Sequence, residues 1–171
     1  MSTVASESVG QIELLRHQAR MARQVVKLNV EGLSHEDSLI QPSPGGNCLN
    51  WVVGHLLAIY HRVLPLLKQA PVLPASVLKR YDRGSPPILD ATEAVDFAQL
   101  MSAWDECSRR YDTGLAGLTA DVLAAPAPVS PRNDPDETIG SLLSTISWHQ
   151  AYHCGQTGIL RRTAGRAGAI K

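Results

Sequence analysis

The chain has 171 residues, 44% hydrophobic and 19% charged, with 16 basic side chains balancing 16 acidic ones. That length predicts one domain over residues 1–171 and is enough to bury a core without staples. Zero net charge removes the general pull toward nucleic acid and anionic lipid, and neither is expected as a partner. Aromatic residues make up only 5%, which favours helices over a β-sandwich. Cys48, Cys107 and Cys154 lie far apart and form no C-x-x-C pair, a pattern that fits a reducing compartment without a disulfide framework. The first twenty residues hold no apolar run, so no signal peptide is expected. The longest apolar stretch, 51–67, is broken by His55, His61, Arg62 and Pro65 and is too short and polar to span a bilayer. The expected location is the cytoplasm.

Pro and Gly cluster at 42–46, 71–87 and 126–135 and divide the chain into four segments of helical period. The first, about 9–33, places Ile12, Leu15, Ala19, Ala22, Val26, Asn29 and Leu33 at steps of three and four. The second, about 47–67, has Asn47 as its expected N-cap and Pro65 ending or kinking its last turn. The third, about 91–118, starts after Asp90 or Thr92 and aligns Phe97, Met101, Trp104, Ser108, Tyr111, Leu115 and Leu118 on one face. The fourth, about 137–164, starts after Asp136 or Thr138 and is closed by Gly165. No segment shows a sustained period of two. The prediction is an all-α protein, a four-helix bundle with long inter-helix loops. Those loops can hold crossovers or line a pocket at one end. The first nine residues and the last five or six are expected to fray.

The core stripe of the fourth segment reads Ile139, Leu142, Ile146, His149, His153, Gln156, Leu160, so its middle is polar. In the second segment the stripe Cys48, Val52, His55, Ile59, Arg62, Leu66 carries an imidazole at its centre. An inward polar group without a partner costs on the order of 1–3 kcal/mol, so something must satisfy these side chains. Two readings stand on the pattern alone. Each histidine is hydrogen-bonded to a carbonyl or carboxylate in the core, or the three are ligands to one ion. Histidines at i and i+4 share a helical face, and a third from a facing helix completes a three-ligand site with an open position. Zn²⁺, Ni²⁺ and Fe²⁺ all accept imidazole. Gln156 would then orient a ligand from outside, and Arg62 and Tyr152 are pocket candidates.

Other features take simpler readings. In HQAYH, Gln150 stands where a zinc peptidase has its Glu base, so peptidase chemistry is not expected. No G-x-S-x-G, P-loop or G-x-G-x-x-G is present. Cys154 points about 100° from His153 and reads as packing. Arg161, Arg162 and Arg166 complement a helix dipole. For Arg62, snorkelling is the plainer reading. Trp51, Trp104, Trp148 and Tyr152 read as core and wall residues. His17 and His35 read as solvated, and His61 lies about 120° from His55.

Three segments together resemble the DinB-like (YfiT-like) superfamily, which is distinct from the DNA polymerase sharing that name. They are N-C-L-N-W-V-V-G-H-L-L at 47–57, Y-D-R-G-S at 81–85, and W-H-Q-A-Y-H-C-G-Q at 148–156 followed by L-R-R at 160–162. The resemblance runs from the first helix to about Gly165. It implies a four-helix bundle, often a homodimer, holding one divalent metal near one end through His55, His149 and His153. Members with assigned activity include thiol S-transferases using low-molecular-weight thiols such as bacillithiol, and a mycothiol-dependent isomerase. The related iron enzymes of ergothioneine synthesis carry a Glu two residues after the last His, where this chain has Gly155. The implied function is metal-dependent activation or transfer of a low-molecular-weight thiol onto a small-molecule substrate. The alternatives are a metal-dependent hydrolase and a non-catalytic metal-binding or dimerisation bundle in stress response. No catalytic side chain beyond the ligands is identified.

Overall fold

A computed structural model describes the backbone of residues 2–170 and the side chains of residues 10–170. The 3-4 spacing of the first segment dictates one buried face. Ile12, Leu15, Ala19, Ala22, Val26, Asn29 and Val30 are buried along α1 (Ser2–Val30). The helix therefore begins at Ser2 and not at the expected 9; Met1 and Lys171 lie outside the described residues. Three short helices occupy segments expected to be loops: α2 (His35–Leu39), α4 (Ala75–Leu78) and α6 (Ala120–Ala124). Helices this short show no readable period. α2 is held instead by a reciprocal cap between Ser34 and Asp37.

α3 (Leu49–Val63) is buried on most sides. Cys48, not Asn47, stands at its N-cap and makes no side-chain cap bond. Pro65 falls in the first turn of a 3₁₀ segment, Leu64–Leu67, where a missing N–H costs little. The third predicted segment starts late. Asp90 caps only a 3₁₀ turn, Ala91–Glu93, and α5 (Phe97–Ala116) begins after Asp96, whose side chain accepts from the Gln99 N–H. α7 (Ile139–Thr163) opens with a capping box between Thr138 and Ser141. Gly165, at φ +75°, follows its end, a left-handed position that glycine adopts without strain.

α1 packs against α5 and α7, and α3 packs against the same two, so the four long helices surround one core. Its centre holds Tyr60, Leu64, Leu100, Trp104, Tyr111 and Leu115, each fully buried. The described residues contain no strand, only an isolated bridge between Pro126 and Thr138. The all-α class is as expected. Among the described residues, no helix is long and apolar enough to cross a membrane.

Two polar links fix α7 against α1. The Asn29 side chain donates to Thr157 Oγ1 at 2.9 Å. Arg161 donates to the carbonyls of Asn29 (3.2 Å) and Glu31 (2.7 Å), satisfying acceptors that the end of α1 leaves open. Arg161 is thus more than a complement to its own helix dipole. It also donates to the Ala167 carbonyl at 2.7 Å, which folds back the tail expected to fray.

Candidate metal centre

His55 sits midway along α3, its ring stacked on Trp51 one turn earlier with centroids 4.8 Å apart. Its Nδ1 faces the carbonyl of Tyr81 at 2.8 Å. A carbonyl only accepts, so Nδ1 carries the proton and Nε2 presents a bare lone pair. Tyr81 is fixed for this task. It is fully buried, its hydroxyl donates to Asn50 Oδ1 at 2.9 Å, and it accepts from the Val95 N–H at 2.8 Å. Asn50 in turn donates to the Val95 carbonyl at 2.8 Å. These bonds tie the 79–96 segment to α3.

His149 and His153 stand one turn apart on α7. His153 Nδ1 donates to Gln156 Oε1 at 2.6 Å, which leaves its Nε2 bare as well. His149 Nε2 lies 3.2 Å from His55 Nε2 and 3.1 Å from His153 Nε2. One nitrogen cannot donate to two lone pairs, so the imidazoles cannot satisfy one another. A cation satisfies all of them. Nitrogens bound at about 2.05 Å to one tetrahedral ion lie about 3.3 Å apart, close to the spacing seen. The three histidines are positioned to bind a metal ion. The His149 Nδ1 is buried without a hydrogen-bond partner.

Protonation would oppose metal binding, and the surroundings suppress it. Burial is the largest effect in holding all three imidazoles below the ordinary histidine range. His149 is pushed furthest, to about 4, first by burial and then by the charges of His153, His55 and Arg83. The site is therefore neutral at pH 7.

Over the imidazoles opens a cleft of about 860 Å³, in the range of small-molecule sites. Trp51, Ile59, Leu66 and Ile146 form apolar wall, and Val129–Pro131 contributes loop, as long connections allow. Trp148 and Tyr152 also line it but are 67% and 57% exposed, so they are rim residues and not core. The Tyr152 ring meets the His153 ring edge-on at 5.2 Å. Arg62 is exposed at the rim, where its guanidinium pairs with Asp82 at 2.5 Å. Both candidates thus reach the cleft, at its edge, while Gln156 touches a histidine directly.

The remaining assignments divide. Cys154 is buried packing, its thiol pushed up to about 12 by burial. His17 is exposed, as expected. His61 faces the Leu73 carbonyl at 3.1 Å, away from the site. His35, expected to be solvated, is half-buried, and its Nδ1 accepts the Phe97 N–H at 3.2 Å, at the start of α5. Tyr81 and Arg83 were missed as individual residues. Their only signal was the Y-D-R-G-S segment, which carries no chemistry until the loop's path is known.

If Gln156 fixes the His153 ring, Gln156→Ala should weaken Zn²⁺ binding by about 10–100-fold, as loss of an outer hydrogen bond to a ligand does. Competition with a chromogenic chelator reads this. Unchanged affinity would remove Gln156 from the site.

The sequence model of the DinB superfamily matches residues 16–157, well over half of the chain and spanning all three histidines. No curated protein matches the chain.

Proposed function

Because the chain belongs to the DinB superfamily, we propose that the cluster is a catalytic divalent metal centre that activates a low-molecular-weight thiol for transfer to an electrophile. One observation carries this reading: three neutral imidazoles converge beneath a cleft, with two of their tautomers fixed by Tyr81 and Gln156. A divalent ion held there supplies a Lewis acid that keeps a thiol deprotonated at neutral pH. His55 and His153 keep their lone pairs inward because each Nδ1–H is already committed. Trp51 and Ile146 wall the cleft with apolar surface beside the imidazoles. In the transfer, the sulfur forms a bond to the electrophilic carbon, the leaving group departs with its bonding pair, and the thiol proton passes to solvent.

Hydrolysis is the weaker reading for a stated reason. A metal-bound water is commonly helped by a general base such as a carboxylate, and among the described residues neither Asp nor Glu lines the cleft. A thiol needs no such helper once deprotonated.

Cobalt-substituted protein tests both. N-acetylcysteine should produce a sulfur-to-cobalt charge-transfer band and accelerate loss of 1-chloro-2,4-dinitrobenzene, and His153→Ala should abolish both signals. No band and no acceleration would overturn thiol transfer. Cleavage of p-nitrophenyl acetate in their place would establish the hydrolase. Neither reaction with bound metal would leave a non-catalytic bundle.

A further inference from the structure

Arg62 and Arg83 line the cleft, and among the described residues no Asp or Glu does. Arg62 is engaged by Asp82. Arg83 is exposed, and among the described residues no ion pair or hydrogen bond engages its side chain. The rest of the lining is largely apolar, with three aromatic rings at Trp51, Trp148 and Tyr152.

We infer that the small molecule taken by this cleft is an organic carboxylate with an apolar or aromatic body, and that Arg83 binds its carboxylate. A single guanidinium offers two parallel N–H donors, which match the two oxygens of one carboxylate. A phosphoryl group, with three oxygens and nearly two charges, needs more donors than one free guanidinium supplies. The aromatic rim and apolar wall accept the body of the ligand, while the anion faces both the cation above and the metal position below. This assignment rests on the reading of the cleft as the substrate site, but it is tested apart from the metal.

The experiment titrates phenylacetate and its neutral isostere phenylacetamide into zinc-loaded protein, following tryptophan emission from Trp51 and Trp148, with metal content measured on each sample. Wild type should bind the carboxylate about tenfold or more tightly than the amide, the preference expected of a charge-assisted pair. Added salt should reduce that preference. Arg83→Gln should erase it while keeping amide binding and metal content, and Arg62→Gln should reduce it less. Retention of the preference in Arg83→Gln overturns the proposal, as does equal binding of the two probes, or no binding of either. Loss of the preference on removing metal but not on Arg83→Gln would place the carboxylate on the ion and also overturn it. Wild type that holds no metal but still prefers phenylacetate through Arg83 would overturn the metal reading and leave this one standing.

Discussion

His55→Ala and His153→Ala should each lose the stoichiometric metal that wild type, purified without chelators, carries at about one ion per chain. Even an outer partner of a ligand is worth about 10–100-fold in affinity, so deleting a ligand should cost more than about a hundredfold. Elemental analysis reads the loss directly. Thermal unfolding gives a second readout, because saturation at about a thousand times Kd stabilises the folded state by about 4 kcal/mol. For a chain of this size that raises Tm by about 8–16 °C. The two readings of the inward histidines also differ without metal. If they were ordinary core residues, replacing one should destabilise the metal-free protein. If they are ligands, the metal-free site bears unsatisfied nitrogens, among them the buried His149 Nδ1. His149→Leu should then leave the metal-free protein as stable as wild type or more so, while abolishing its response to Zn²⁺. A folded wild type that takes up none of Zn²⁺, Ni²⁺, Fe²⁺ or Mn²⁺ would sink the metal centre.

The histidines were legible in the sequence for a simple reason. Helical period alone fixes which side chains share a face, and three imidazoles broke two otherwise apolar stripes. The same rule placed the α1 stripe from Ile12 to Asn29, all of it buried. Read more strictly, it would also have placed Trp148 and Tyr152 correctly. Each precedes a ligand by one residue, so each points about 100° off the inner face, toward the rim. The general tendency of aromatics to be buried was the wrong guide there. Tyr81 was not legible by any period. It lies 26 residues from His55 at the end of a single 3₁₀ turn, Lys79–Tyr81, and its carbonyl meets His55 while its hydroxyl is bound by Asn50 and Val95. Asp90 shows the limit of cap signals. It caps only the 3₁₀ turn Ala91–Glu93 and not the long helix: Ala94 is extended, the Val95 N–H and carbonyl are bound by Tyr81 and Asn50, and the helix starts at Phe97.

The second large effect follows from that same anchorage. Gly54→Ala should destabilise the protein by about 3 kcal/mol or more, at or beyond the usual cost of overpacking a core. On helix propensity alone the change should gain about 0.5–1 kcal/mol, so the sign is set by packing. A Cβ on Gly54 would overlap Cδ1, Cε1 and Cγ of the Tyr81 ring. The ring is fully buried and cannot swing aside without breaking its bonds to Asn50 and Val95. If the segment moves instead, the Tyr81 carbonyl leaves His55 Nδ1, and the tautomer that aims Nε2 at the metal position is released. Zn²⁺ affinity should therefore fall together with Tm, the latter by about 6–12 °C. Gly155→Ala is the matched control: in α7, no described atom beyond its chain neighbours and its own helix backbone lies within 4 Å of its added Cβ. It should be neutral or mildly stabilising, with metal binding intact. In a Tyr81→Leu background, which removes the ring, Gly54→Ala should cost distinctly less, a coupling that the double-mutant cycle measures. Equal cost in both backgrounds would show that the clash lies elsewhere, and unchanged metal affinity in Gly54→Ala would show that the Tyr81 carbonyl does not hold His55.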